Sequence, residues 1–180
     1  MTAPLIWVGA AALAAARPGT GLSIGGEEAR HAVAVKRLRP GEDVLLSDAA
    51  GRLARAAVTR VVPGQAPELG VLVRDVEDVP APVPALALVQ ALTKQRRDEA
   101  AVAAATGLGV DAIIPWQSDR SVVRWLDGGR EDRPDRPGKA GRGRERWQQL
   151  ALAEAKVARR PRVPSVAPVV DSKGLFRRLR

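Results

Sequence analysis

Residues 86–125 read LALVQALTKQRRDEAAVAAATGLGVDAIIPWQSDRSVVRW. An apolar run over 86–92 stops at Lys94. A small-residue segment over 95–108 follows, with helical composition. A second apolar run over 110–116 leads into Ser118 to Ser121. Strands that are apolar throughout are covered on both faces, and a strand, helix, strand order joins parallel neighbours by a right-handed crossover. The stretch therefore predicts the start of an α/β domain. Ligands of open parallel sheets gather at the carboxyl ends of the strands. Lys94 and Arg97 fall just after the first run and Arg120 just after the second. Cations there do not serve a core; they suit an anion such as an RNA phosphate. A competing reading pairs Lys94 and Arg97 with Asp98 and Glu99 at the helix start.

Upstream, short apolar or alternating runs at 5–8, 22–24, 43–47, 52–62 and 70–76 are separated by turn residues. One short helix interrupts them at GEEARHAVAVKRLRPGE, with Glu27 and Glu28 in its first turn and Pro40-Gly41 as its stop. This pattern predicts a small β-barrel over 1–78. The segment 79–85, which is proline-rich, reads as a stiff linker, and 86–180 as the second domain. Residues 127–145 carry no apolar periodicity and predict a mobile loop. A helix is expected from about 143 to 160. Trp147, Leu150, Ala151, Val157 and Ala158 would share one face, and Arg142, Arg146, Gln149, Lys156 and Arg160 another. The stretch after it, RPRVPSVAPVVD, looks extended, and Ser172 is placed to cap a last helix.

The net charge is +9, and all of it lies in residues 91–180, with 20 Lys/Arg against 11 Asp/Glu; residues 1–90 balance at nine each. Charge confined to one half points to a polyanionic partner, most commonly nucleic acid. A composition rich in Arg and Ala would have charged both halves. There is no cysteine and a single histidine, His31, so disulfide scaffolds and Cys-based zinc sites are excluded, and no metal is expected. No apolar run reaches the roughly 18–20 residues that span a bilayer. The opening residues lack a basic flank and read as a strand and loop rather than a signal peptide, which predicts a cytoplasmic protein.

The quoted stretch resembles the RsmE family, the 16S ribosomal RNA uracil-N3 methyltransferases of the SPOUT class. The family's K-x-x-R-x-E after its first strand is matched by Lys94, Arg97 and Glu99. Its next segment is matched by Leu108, Gly109, Val110, Ile114, Pro115, Ser118, Arg120, Ser121, Val122 and Trp125. His31, Val35, Arg37 and Gly41 match a segment of its PUA-like barrel. Trp147, Glu154, Lys156, Arg159, Arg160, Arg162 and Pro164 match its long basic helix and the arginine-rich segment after it. The order and spacing hold from about residue 5 to 170.

The resemblance implies a two-domain α+β and α/β chain: a PUA-like β-barrel, then an incomplete SPOUT-type α/β domain. It implies S-adenosylmethionine as methyl donor, 16S rRNA of the small ribosomal subunit as partner, and a homodimer. The residues expected to meet RNA are His31, Lys36, Arg37, Arg39, Lys94, Arg97, Arg120, Lys156, Arg159, Arg160 and Arg162. Arg97 and Arg120 are the candidates for a catalytic role; His31, in the barrel, reads as an RNA contact or structural hydrogen bond. Three departures stand out. Gly107 replaces a usual Glu and is expected to loosen the helix end. Val157 replaces a usual Gln. The family's C-terminal trefoil knot, with its glycine-rich donor loop, corresponds to sequence beyond Arg180, so a truncated chain without a donor site is expected. The alternatives are a non-enzymatic RNA-binding protein and a small DNA-associated basic protein.

Overall fold

A computed structural model describes residues 3–126 and 138–178. The chain forms two compact units, Met1–Ala81 with Arg159–Arg162, and Pro82–Ala158 with Val163–Arg180.

In the first unit, β1 (Leu5–Trp7), β2 (Gly21–Ile24), β3 (Asp43–Ser47), β4 (Arg52–Val62) and β5 (Glu68–Asp78) form one sheet in the order β1-β3-β4-β5-β2. All its pairings are antiparallel except β1 with β3. Alternation sends Val44 and Leu46, Ala54, Ala56 and Val58, and Leu69, Val71 and Val73 inward. Ile6 and Ile24, from the two edge strands, belong to the same core, so the sheet curls on itself. Two register shifts in β4, at Arg55/Ala56 and Val58/Arg60, supply the bend. The expected barrel is thus an open one: among the described residues, β1 and β2 do not pair.

Two short helices cover this core. α1 (Ala10–Ala14) was expected as loop; its only buried residue is Leu13. α2 (Gly26–Arg30) widens into a π-helical turn at His31–Val35. The segment 159–162 packs against the strand ends: Arg162 donates through Nε (3.2 Å) and Nη2 (2.7 Å) to the Val79 carbonyl.

In the second unit, β6 (Ala87–Ala91), α3 (Arg97–Leu108) and β7 (Ala112–Gln117) form the expected strand, helix and parallel strand. β7 is central, with Ile113, Ile114 and Pro115 buried in succession. On its other side lie β8 (Ser165–Val166) and β9 (Val170–Asp171), both parallel to it. The extended tail is therefore one broken strand, and Pro115 explains the break. The Asp111 and Ile113 carbonyls accept from Ser165 and Ala167, so odd-numbered residues of this segment face β8 and β9. Proline has no N–H to give there. Pairing lapses opposite Ile114 and Pro115 and resumes at Trp116.

α4 (Lys139–Val157) starts earlier than expected, after Gly138. The predicted loop at 127–145 thus ends in helix; its residues 127–137 lie outside the described residues. Trp147, Ala151 and Ala155 form the buried stripe, whereas Val157 is 78% exposed and leaves the face assigned to it. Gly107 does not loosen α3: the helix runs past it to Leu108. Gly109, at φ 110°, closes it by donating to the Ala105 and Thr106 carbonyls. α5 (Ser172–Arg178) is capped by Asp171 rather than Ser172. Asp171 Oδ1 accepts Gly174 N–H at 2.6 Å, while the Ser172 hydroxyl turns to Asp119 Oδ1 at 3.0 Å. No described helix is long and apolar enough to cross a membrane.

Candidate nucleic-acid interface

The carboxyl ends of β6, β7 and β9 meet at one edge of the second unit. Because the strands are parallel neighbours, the chain leaves each of them on the same side. Three contacts fix the loops there. Leu92 N–H donates to the Trp116 carbonyl at 3.0 Å. The Ser118 and Ser121 hydroxyls lie 3.0 Å apart, with Ser121 Oγ 3.5 Å from the Leu92 carbonyl. Ser172 Oγ sits 3.4 Å from Trp116 Nε1. The loop after β7 is thereby held beside the loop after β6 and the start of α5.

This edge carries Lys94, Arg97 and Arg120, all exposed. Lys173, also exposed, enters from α5; it was missed because its place depends on the broken third strand. Among the described residues none of these four has a carboxylate partner. The alternative pairing with Asp98 and Glu99 does not occur. Asp98 is buried, with Oδ2 accepting Thr93 N–H (3.2 Å) and Oδ1 accepting Glu99 N–H (3.0 Å). Glu99 is bound instead by Arg146 at 2.5 Å and by Arg96 at 4.0 Å.

The turn that presents these cations is strained. Gln95 (φ 59°) and Arg96 (φ 57°) are consecutive left-handed residues. Each such non-glycine residue costs on the order of 1–2 kcal/mol, and such strain concentrates at functional sites.

In the first unit, His31, Lys36, Arg37 and Arg39 fall on one exposed segment, from the π-helical turn to the turn before β3. Arg37 is left-handed at φ 53°. Arg159 is exposed and Arg160 partly so. Arg162 is different: it is partly buried and spent on the Val79 carbonyl, so its role is structural. Lys156, at the end of α4, is partly buried. Among the described residues no three His, Cys, Asp or Glu side chains gather as a metal site.

Comparison with known proteins bears on this arrangement. An RNA methyltransferase domain matches residues 79–180, and an RNA methyltransferase PUA domain matches residues 24–66. Fold and matches define a chain of the RNA methyltransferase class carrying a PUA domain. A ribosomal RNA small subunit methyltransferase E from Mycobacterium bovis is 38% identical over 87% of this chain and 55% of its own length. Its counterpart from Bacillus subtilis is 30% identical over 87% of this chain and 57% of its own. The chain belongs to the RsmE family. It spans little more than half the length of these relatives. The crystal structure of a ribosomal RNA small subunit methyltransferase E from Neisseria gonorrhoeae, bound to S-adenosyl methionine, superposes with a TM-score of 0.70. That match covers 94% of this chain and 63% of the other at 24% identity, and speaks for the fold.

Proposed function

We propose that this chain supplies the RNA-binding unit and the first part of the catalytic unit of a methyltransferase. The enzyme would use S-adenosylmethionine to methylate N3 of a uridine in 16S rRNA, in the cytoplasm and as a homodimer. The observation that carries the reading is the set of cations Lys94, Arg97 and Arg120, without a carboxylate partner among the described residues, at the carboxyl edge of a parallel sheet in a chain of the RsmE family.

The chemistry asks for such groups. Uracil N3 is a weak acid with a pKa near that of a phenol, about 10. Methylation requires its proton to leave or the charge developing on O2 and O4 to be stabilised. A fixed guanidinium, Arg97 or Arg120, serves the second purpose. Lys94, Arg97, Arg120 and Lys173 suit phosphate and uracil oxygens, so they are assigned to RNA; they offer no contact to the sulfonium cation of S-adenosylmethionine. His31, Lys36, Arg37 and Arg39, with Arg159 and Arg160, would bind RNA from the first unit.

The test is Arg120→Ala in a full-length relative, with methyl transfer to small ribosomal subunits as the assay. Stabilisation of developing charge predicts turnover at saturating RNA falling about 100-fold, as for loss of one oxyanion-stabilising donor. Weaker RNA affinity with unchanged turnover would reduce Arg120 to a phosphate contact.

A further inference from the structure

The turn that carries Lys94 and Arg97 has a sequence that does not favour it. Gln95 and Arg96 are both left-handed, at φ 59° and 57°, and Arg97 N–H approaches the Lys94 carbonyl at 3.5 Å. Consecutive left-handed residues in a tight turn are the place of Asn-Gly or Gly-Gly, and here neither position is glycine. The contact across the turn is too long to hold it. The ion pair of Arg96 with Glu99, at 4.0 Å and with the Arg96 side chain 76% exposed, adds little. What closes the turn is a reciprocal pair, one residue outside it on each side. Asp98 N–H donates to Thr93 Oγ1 at 2.9 Å, and Thr93 N–H donates to Asp98 Oδ2 at 3.2 Å. Asp98 Oδ1 accepts Glu99 N–H at 3.0 Å. Asp98 is buried, so these bonds are shielded from competition by solvent.

We infer that Thr93 and Asp98 are positioning residues for RNA binding: their clasp holds the 94–97 turn in a conformation its own sequence disfavours, and so fixes Lys94 and Arg97 side by side. The inference rests on the RNA role proposed for those two cations. The end residues of such a turn lie within about 7 Å of each other. Residues 94–97 are all exposed, so packing does little to keep them there. Without the clasp the turn relaxes out of the left-handed region. Lys94 and Arg97 must then be ordered again each time RNA binds, and that ordering is subtracted from affinity. Thr93 and Asp98 touch no RNA in this reading; they act through Lys94 and Arg97.

The test is a mutant cycle on the 180-residue chain, read as affinity for a fluorescently labelled oligouridylate over a salt titration. Lys94→Ala with Arg97→Ala removes the two cations. The slope of log affinity against log salt should shrink by about 1.4, which is two single-strand phosphate contacts at roughly 0.7 each. Thr93→Val keeps both cations and deletes the hydroxyl that Asp98 N–H binds. Affinity is expected to fall about fivefold, the scale of one net hydrogen bond. Thr93→Ser, which keeps the hydroxyl, should bind like the wild type. In the chain that already lacks both cations, Thr93→Val should change affinity no further, because it acts only through them. Should Thr93→Val fail to fold, Asp98→Asn gives the same comparison, since it keeps the volume and puts an amide N–H where a carboxylate oxygen accepted. An equal loss with and without the cations would mean that Thr93 serves the fold alone and overturns the inference. So would Thr93→Ser behaving as Thr93→Val does. Clasp variants that bind like the wild type, while the cation variant binds weakly, overturn the clasp and leave the RNA role of Lys94 and Arg97 standing. A cation variant with undiminished affinity and slope, or a wild-type chain that does not bind, overturns that role and the inference with it.

Discussion

The side-chain carbonyl of Gln117 accepts the backbone N–H of Trp125 at 2.7 Å, and that of Leu126 at 2.9 Å. Gln117 is the last residue of β7 and 4% exposed, so the central strand itself clamps Trp125 and Leu126, in the segment that follows it. Ser118 and Ser121 fix the near end. Arg120 and Arg124 ride on a segment, 118–126, held at two points, as a binding site on a rigid element requires.

Gln117→Leu keeps the approximate volume and deletes the acceptor. Two amide groups lose their partner, at a cost of about 1–3 kcal/mol. Urea denaturation should show that loss. Amide exchange at Trp125 and Leu126 should speed up well beyond the global change. Equal protection at these two amides in both proteins would mean that the clamp does not order the loop.

Gly107→Ala tests the departure in α3. The site is helical and exposed, and a Cβ there meets nothing within 4 Å. Alanine should stabilise the second unit by about 0.5–1 kcal/mol, through helix propensity and a less flexible unfolded chain. A melting temperature that stays level or falls would contradict a helix running through position 107.

Much of this was legible in the sequence, and the rest was hidden for physical reasons. The runs at 86–92 and 110–116 are apolar on both faces, so their parallel pairing could be read from composition. The register shifts in β4 and the break opposite Pro115 are tertiary events, set by which neighbour each backbone group faces. The start of α4 was obscured by Gly138, Gly141 and Gly143, which lower helix propensity, and α1 by an alanine run with too few apolar residues to show a face. The edge cations Lys94, Arg97 and Arg120 could be read from their place after strands. The places of Arg96 and Arg124 could not, because Arg96 lies in a left-handed turn and Arg124 in a segment whose clamp is a single buried glutamine.

Gly51→Ala tests how the segment 159–162 joins the first unit. Gly51 has φ 115°, and an added Cβ would collide with the Arg162 guanidinium. Arg162 would have to leave the Val79 carbonyl. Backbone strain and the lost charge-assisted bonds together predict a cost of about 2–4 kcal/mol. Arg162→Ala alone should cost less, since it leaves Gly51 unstrained. If the two substitutions cost the same, the close approach at Gly51 contributes nothing beyond Arg162 itself.

Gly143→Ala tests the packing of Trp125 against α4 without changing any charge. Gly143 sits in α4 where the Trp125 ring lies against the helix; a Cβ would stand 2.5 Å from Trp125 Cζ2. An aromatic ring held by Trp147 and by the Gln117 clamp on its own backbone cannot yield enough to relieve that overlap; it must swing away. Alanine raises helix propensity by about 1 kcal/mol, so α4 itself should survive. The expected result is a helix of unchanged content by far-ultraviolet circular dichroism, with a weaker near-ultraviolet signal from the Trp125–Trp147 pair. Emission should also shift to the red. Unchanged near-ultraviolet signal and emission would mean that the Trp125 ring does not lie against α4 at position 143.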